Sequence, residues 1–353
     1  MDKLKQLLAG LFMGANGATL LFLWVCCACT WADPSAFPLL SVATLAFPIF
    51  LLVNVAFVVF WLVFKPRCAL VPLLGIALVG SFVLDYCPLQ WKRQVPDGSL
   101  LLMSYNTAGA YGGENAHVLL DYLRHTDADI VCLQEVAAPT LQTPEAKRLI
   151  DSLHYQLVQK DGRSVLSRLP IISDTVPLPI GSTRTGNGTL ACLVEYQGDT
   201  LMIVNNHLES NGITLDEKTE YKDMLLDPNT SKVKSSSRLL VGKLARAAKV
   251  RGAQVDSLCQ FLDAHSTRSM LVCGDFNDTP VSYTHRMLSN RLVSSFRESG
   301  FGIGLSYNQI GFFVRIDHVF HSADWESHST HIDTEISLSD HYPMLTFLHK
   351  KDK

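Results

Sequence analysis

The chain has 353 residues, with 30 Lys and Arg against 33 Asp and Glu and a formal net charge of −3. That balance excludes attachment to a polyanion through overall charge, so any phosphate or nucleic-acid site has to be local. Hydrophobic residues make up 48% of the chain and mean hydropathy is +0.17, which is high for a purely soluble enzyme.

The apolar excess sits at the beginning. Three runs with almost no charge cover about 4–30, 37–64 and 68–86, and each approaches or exceeds the ~20 residues that a helix needs to cross a bilayer. A cleaved signal peptide competes for the first run, but two more runs follow it closely and no small-residue cleavage site precedes Asp33. Three transmembrane helices are therefore expected. Lys3 and Lys5 precede the first, Lys65 and Arg67 separate the second from the third, and the loop TWADPSA carries only Asp33. Basic flanks stay cytoplasmic. The expectation is a multi-pass protein whose residues after Tyr86 lie on the non-cytoplasmic side, with Lys92 and Arg93 pulling against that orientation. The chain divides into a transmembrane region over 1–90, a linker over 91–97 and a second domain over 98–353.

Cys26, Cys27, Cys29, Cys68 and Cys87 lie in or beside the apolar runs, and Cys132, Cys192, Cys259 and Cys273 lie inside apolar strand or helix patterns. With no CxxC pair in the second domain, they read as buried free thiols.

From Gly98 onward short strands and helices alternate. Leu101–Thr107 reads as a strand ending at Asn106; a Gly-rich turn leads to a helix over Ala116–Arg124; Asp129–Val136 is a second buried strand, ending at Glu135. A helix over Pro144–Leu153 precedes strands around Tyr155–Val158, Arg163–Ser167, Thr189–Tyr196 and Thr200–Asn206, the last of which delivers His207. The run around Asn229–Ser237 reads as a flexible polar loop before a long helix over Ser237–Ala264. A strand into Asp275, a short helix after Pro280, a strand over Arg315–Ser322 and the closing segments LSDHYP and MLTFL follow. Strands outnumber helices and several neighbours can pair antiparallel. The expected class is α/β (α+β), two packed mixed sheets with helices outside rather than a Rossmann sheet.

Asp275 and Asn277 sit two apart after an apolar strand, with Phe276 between them on the other face. A carboxylate and a carboxamide pointing the same way suit a hard metal ion or a phosphate; the competing reading is an Asx-turn. Asn106, Glu135, His207, Asp317 and the pair Asp340 and His341 also follow or end apolar runs. Each is a type that binds hard metals, phosphate or protons.

Asn106 after its strand, the LQE of Leu133–Glu135, the SRLPI of Ser167–Ile171, the HLES of His207–Ser210, the GDFN of Gly274–Asn277, the RIDHVF of Arg315–Phe320 and the SDHYP of Ser339–Pro343 come in one order. That ordered set resembles the endonuclease/exonuclease/phosphatase family over about 98–350. The resemblance implies a four-layer sandwich of two mixed β-sheets flanked by helices and Mg²⁺- or Mn²⁺-dependent hydrolysis of phosphoester bonds. The chain departs at Ala108, where many members carry an acidic or aromatic residue.

By this resemblance Glu135 is the principal metal ligand, completed or supported by Asn106 and Asp340. Asp317 and His341 look like the family's carboxylate–histidine dyad, which would take a proton from the attacking water. Asp275 would orient that water or the leaving group, Asn277 would donate to a phosphoryl oxygen and His207 would contact the same phosphate. His318 alternates with Asp317 and should face away. Arg315 shares the face of Asp317 and reads equally as a phosphate contact or as a salt bridge to a site carboxylate. Between Lys232 and Arg251 no acidic residue occurs, so Lys243 and Arg246 are candidates for a basic rim or for contact with anionic headgroups. The 211–234 insertion is long for a connecting loop and expected to shape specificity. The expected partners are the bilayer and a phosphoester, either a lipid headgroup or small phosphoester or, alternatively, nucleic acid; no protein partner is evident. A catalytically inactive membrane scaffold is the reading outside enzymology, and the intact acids and histidines argue against it.

Overall fold

The computed structural model describes residues 2–91, 94–108, 113–173, 187–214, 216–217, 219, 230–309, 312–336 and 338–352. In the N-terminal region α1 (Asp2–Ala28), α2 (Pro38–Ala43) and α3 (Phe47–Phe64) are followed by α4 (Leu70–Ala77) and α5 (Gly80–Tyr86). Two helices, 3–31 and 38–64, are long and apolar enough to cross a membrane. The third run is not a straight helix: α4 and α5 meet at a bend of 70°, between Ala77 and the helix-weakening Gly80. Asn16 of the first run and Asn54 of the second are fully buried and bonded to each other, Asn16 Nδ2 donating to Asn54 Oδ1 at 2.9 Å. Such a bond between helices satisfies two amides that hydrocarbon could not.

Two six-stranded sheets form the second domain. The first is built from β1 (Leu100–Asn106), β2 (Ile130–Gln134), β3 (Gln156–Lys160), β4 (Arg163–Ser167), β13 (Trp325–Ile332) and β14 (Met344–Lys350), in the order β13-β14-β1-β2-β4-β3. The second contains β5 (Ile171–Ser173), β6 (Gly188–Tyr196), β7 (Asp199–His207), β8 (Ser269–Asp275), β9 (Val293–Ser294) and β12 (Asp317–His321), in the order β5-β6-β7-β8-β12-β9. A separate hairpin joins β10 (Tyr307–Gln309) to β11 (Phe312–Val314). Each large sheet has one parallel pair, β1 with β2 and β7 with β8; the remaining pairs are antiparallel. A parallel pair needs a crossover. Here α6 (Gly113–Thr126) lies between β1 and β2, and α9 (Thr230–Ala264) lies between β7 and β8.

Alternation along the strands builds the layers. Leu100, Leu102, Ile130, Cys132, Ile203, Leu271 and Cys273 pack between the sheets. Met103, Tyr105, Val131 and Leu133 pack outward with Leu119 and Leu123 of α6 and Ile150 of α8 (Pro144–Ser152), which follows the short α7 (Ala138–Gln142). Met202, Val204, Met270 and Val272 pack outward with Val255, Leu258 and Leu262 of α9 and Leu288 of α10 (Tyr283–Ser289). The result is helix, sheet, sheet, helix. All nine cysteines are free.

Two expectations are corrected, and one strand has no counterpart in the sequence reading. Helix α9 begins at Thr230, so most of the stretch read as a polar loop is helical; no Gly or Pro interrupts it before Gly242. Strand β13 is not expected from the sequence because WESHSTHI has no aliphatic residue before Ile332; its buried Ser327 and Thr330 are instead hydrogen-bonded to Ser299 and Thr346. LSDHYP is no strand, meeting β10 only through a bridge from His341 to Tyr307. Much of the 211–234 insertion, including the side chains of Lys232 and Lys234, lies outside the described residues.

The N-terminal helices are tied to the second domain by arginines. Arg286 Nε donates to Thr30 O at 2.9 Å, Arg297 pairs with Asp85 at 2.6 Å, and Arg315 donates to the carbonyls of Asp85 and Ile303. The helix that follows β9, α11 (Ser295–Ser299), carries Arg297.

Candidate active site

The carboxyl ends of both parallel pairs open on one edge, and phase puts the polar residues there. Asn106 continues the inward face of Leu100 and Leu102, Asp275 that of Leu271 and Cys273, and Asp317 that of Val319. His207 follows Ile203 in the same way. Glu135 is out of phase with Gln134 and Cys132, but its backbone is left-handed, φ +53, which turns the side chain back toward the cleft. Thr107 holds that turn, its hydroxyl donating to the carbonyls of Gln134 and Glu135 at 3.1 Å. Asn277 is also left-handed at φ +52; such conformations in non-glycine residues concentrate at functional sites.

Beneath the site the two strands of the β7–β8 pair come very close. A Cβ at Gly274 (φ +133) would lie 1.9 Å from the carbonyl oxygen of Asn206, so only glycine fits there. Asn205 Nδ2 donates at 2.9 Å to the carbonyls of Leu133 and Ser164 in the other sheet, and Gln134 Nε2 donates to Asn205 Oδ1 at 2.7 Å. These buried amides lock the sheets together just below the cleft.

The centre is a dyad. His341 Nδ1 lies 2.9 Å from Asp317 Oδ2, and His341 Nε2 lies 3.7 Å from Asp275 Oδ2. All three are buried, and their ligand atoms lie within 4.8 Å of one another. Two backbone amides, of Ile316 and Asp317, donate to Ser306 Oγ, while Ser339 Oγ accepts from the His341 amide at 3.0 Å. Asn106 Nδ2 donates to Asp275 Oδ2 at 2.9 Å and to Glu135 Oε1 at 3.1 Å, while its oxygen accepts from the Ala108 amide at 2.9 Å. Asn106 therefore spans two carboxylates. Asn277 donates its backbone N–H to Asp275 Oδ1 at 2.8 Å, and its side-chain amide to Leu208 O at 3.1 Å and Asp275 Oδ2 at 3.3 Å. The last is the bond a phosphoryl oxygen could replace. His207 Nε2 stands 3.4 Å from Glu135 Oε1 and 3.8 Å from Asp275 Oδ2, with no hydrogen bond.

A cavity of about 220 Å³ opens on this group, lined by Glu135, Asp275, Asn277, Tyr307, Asp340 and His341 among others. Tyr307 is not evident from the sequence, because nothing in GLSYNQI marks it. Its ring sits edge-on to His341 at 5.0 Å, and its phenol, raised by burial and then by Asp340, is hydrogen-bonded to Asp340. Burial pushes the Asp275 carboxyl up and His207 down. Burial also opposes charge on His341, but Asp317 and Asp275 outweigh it and raise His341 to about 10.

Acids outnumber bases in this cleft: Glu135, Asp275, Asp317 and Asp340 face His207 and His341. Asp317 Oδ1 is buried with no hydrogen-bond partner. Hard oxygen donors with uncompensated charge fit a divalent cation, and a phosphoester anion could not enter beside four carboxylates without one. Asp275, Asp317 and His341, whose ligand atoms cluster, could hold such an ion, as could Glu135, a carboxylate of the cleft lining whose side chain is 42% exposed.

Residues 103–341 match the endonuclease/exonuclease/phosphatase family. The chain belongs to that family. As a member of the endonuclease/exonuclease/phosphatase family it is a metal-dependent hydrolase of phosphoric ester bonds. Residues 9–86 match a domain of unknown function, and comparison with curated proteins gives no match. Among solved structures the chain is similar to the human Nocturnin catalytic domain with bound sulfate anion, at 17% identity and TM-score 0.52 over 73% of this chain and 97% of that one. It is also similar to a humanized D. rerio TDP2, at 15% identity and TM-score 0.50 over 71% of this chain and 99% of that one. At such identities the likeness is one of fold.

The basic candidates fall elsewhere. Arg315 is 2% exposed, with its guanidinium on the carbonyls of Asp85, Tyr86 and Ile303 and 3.9 Å over the Phe296 ring. Its length carries the charge past the strand end to the N-terminal helices, and among the described residues it forms no salt bridge to a site carboxylate. Lys243 Nζ is held by Glu217 at 2.6 Å and Gly212 O at 2.9 Å, and Arg246 lies on α9; neither lines the cleft. His318 lies on the far face, its Nε2 2.9 Å from Asp278 O.

Proposed function

We propose that the chain is a membrane-anchored phosphodiesterase or phosphatase using Mg²⁺ or Mn²⁺, with a membrane region over 1–90 and a catalytic domain over 98–353. The observation that carries the reading is the His341–Asp317 dyad, 2.9 Å in length, set against Asp275, Asn106 and Glu135 at the ends of two parallel strand pairs. The apolar helices, with side chains such as Leu52, Val63 and Phe64 facing outward, support the anchor. The flanking Lys3, Lys5, Lys65 and Arg67 support several crossings with the catalytic domain on the non-cytoplasmic side.

A divalent ion at Glu135, supported by Asn106 and Asp340, would supply positive charge against the phosphoryl oxygens and the leaving oxygen. Asp317 fixes the tautomer of His341 and leaves Nε2 facing the cleft. With the carboxylates uncompensated His341 is protonated at neutral pH, and added positive charge lowers its pKa toward the range in which it accepts a proton from water. Asp275, held by Asn106 and Asn277, orients that water, and His207 and Asn277 meet the phosphoryl oxygens.

A second reading, a membrane-tethered nuclease, is favoured by Arg238, Arg246 and Lys249 on α9, which would also receive a nucleic-acid backbone. The full chain in detergent, given Mg²⁺ or Mn²⁺ and offered plasmid DNA, inositol phosphates and sphingomyelin-type lipids, decides between them. Activity on none of these, or activity unchanged in Asp275→Asn, would overturn the proposed site.

A further inference from the structure

A second cavity, of about 320 Å³, lies between α2, the start of α3 and the first half of α9, within the size range of small-molecule sites. Its walls are largely apolar: Val42, Leu45 and Phe47 of the membrane region face Leu240, Leu244 and Ala248 of α9. Helix α9 thus has two burial partners. Val255, Leu258 and Leu262 cover the sheet, whereas the earlier turns run on past it to the membrane region. The cavity adjoins the catalytic cleft, for Asn211, Ile213, Asn277, Val314 and Ile316 line both.

The outer faces of the same helices point to where an occupant comes from. Leu39 of α2 and Ile49 of α3 are exposed beside the cavity wall, and on α9 Leu239 and Val241 are exposed between Arg238 and Arg246. Apolar side chains interleaved with cations suit a surface that meets acyl chains and anionic headgroups together.

We propose that this cavity holds a hydrocarbon chain of a membrane lipid whose phosphoester is presented to His207, Asp275 and His341 next door, so that the substrate class is a lipid phosphoester of the enzyme's own bilayer. The inference rests on the phosphohydrolase reading and adds its substrate. Among the described residues the one cation that lines the cavity is already engaged: Arg251 donates to Glu209 O at 2.9 Å and Asn211 Oδ1 at 3.0 Å and faces Asp278 at 3.6 Å.

The test uses the full chain reconstituted in vesicles of phosphatidylcholine, phosphatidylglycerol and sphingomyelin with Mg²⁺ or Mn²⁺. Lipid hydrolysis is followed beside hydrolysis of bis(p-nitrophenyl) phosphate and plasmid DNA added to the solution. Leu244→Trp and, from the opposite wall, Leu45→Trp fill the cavity without replacing a catalytic residue. Lipid hydrolysis should fall about tenfold or more, while the soluble diester is cleaved within about twofold of the unsubstituted rate, which also reports folding. Lipid hydrolysis unchanged in both variants, both activities lost alike in both, or cleavage of DNA or soluble diester with none of lipid, overturns the inference and leaves the phosphohydrolase reading standing. Cleavage of no phosphoester at all overturns that reading too.

Discussion

Asp275 and Asp317 are paired residues of the antiparallel β8–β12 ladder, and both are buried carboxylates. Two such groups side by side repel, so the arrangement persists only because each is bonded to something else. Asp317 has His341; Asp275 has the amides of Asn106 and Asn277. The site is thus a charge cluster held in place by the ends of four strands.

Replacing Asp317 by Asn removes the anion that does most to hold His341 protonated. The imidazole pKa should fall from about 10, seen as a downward shift of its NMR titration. Turnover should drop by about 10²–10⁴, the usual span of a general acid–base contribution, with the circular dichroism spectrum unchanged. Turnover within about threefold of the unsubstituted protein would remove the dyad from the mechanism.

Metal dependence should be carried by Glu135 and steadied by Asn106. Chelation is expected to abolish hydrolysis and readdition of Mg²⁺ or Mn²⁺ to restore it. Asn106→Ala takes away the amide that bridges Glu135 and Asp275, and the metal concentration for half-maximal activity should rise about 10–100-fold, as for other partners behind a ligand. Full activity after chelation would contradict this assignment.

Side-chain alternation alone accounts for half of this cluster. Asn106, Asp275 and Asp317 continue the two-residue period of their strands, so their apolar neighbours in the sequence already place them on the inner face. Glu135 breaks that period and is brought in by a left-handed residue, which a pattern of side-chain types cannot encode. Tyr307 sits in a hairpin with no apolar run to flag it. Arg315 shows the opposite failure: its position beside Asp317 suggests a substrate contact, but the partners that claim it, the carbonyls of Asp85 and Tyr86, lie some 230 residues earlier. Only tertiary packing reveals them.

Arg315 should therefore matter for stability rather than turnover. Arg315→Met leaves the carbonyls of Ile303, Asp85 and Tyr86 without their donor, at about 1–3 kcal/mol for each buried group left unsatisfied. The thermal midpoint of the full chain in detergent should fall clearly, while kcat and KM on a soluble phosphoester stay within about threefold. A raised KM at unchanged midpoint would return Arg315 to the substrate.

Glu298 gives the fold an acid limit. Its Oε2 accepts from the Ser327 amide and hydroxyl, each at 2.7 Å, and lies 2.9 Å from His321 Nε2, so one carboxylate of α11 joins β12 of the second sheet to β13 of the first. Burial would raise its pKa, but His321 and Ser327 outweigh burial and hold it at about 2 against an ordinary 4.5. Because the folded value lies below the unfolded one, the stabilisation is fully present above about pH 4.5 and is lost as pH falls from there toward about 2. At 1.36 kcal/mol per pKa unit, and with solvent screening of this half-buried carboxylate discounted, it amounts to about 1–3 kcal/mol. Glu298→Gln should lower the thermal midpoint at neutral pH, and the gap to the unsubstituted chain should close as pH falls through that window. A gap that stays constant from neutral pH down to about pH 3 would show that the carboxylate's charge does not hold the two sheets together at this edge.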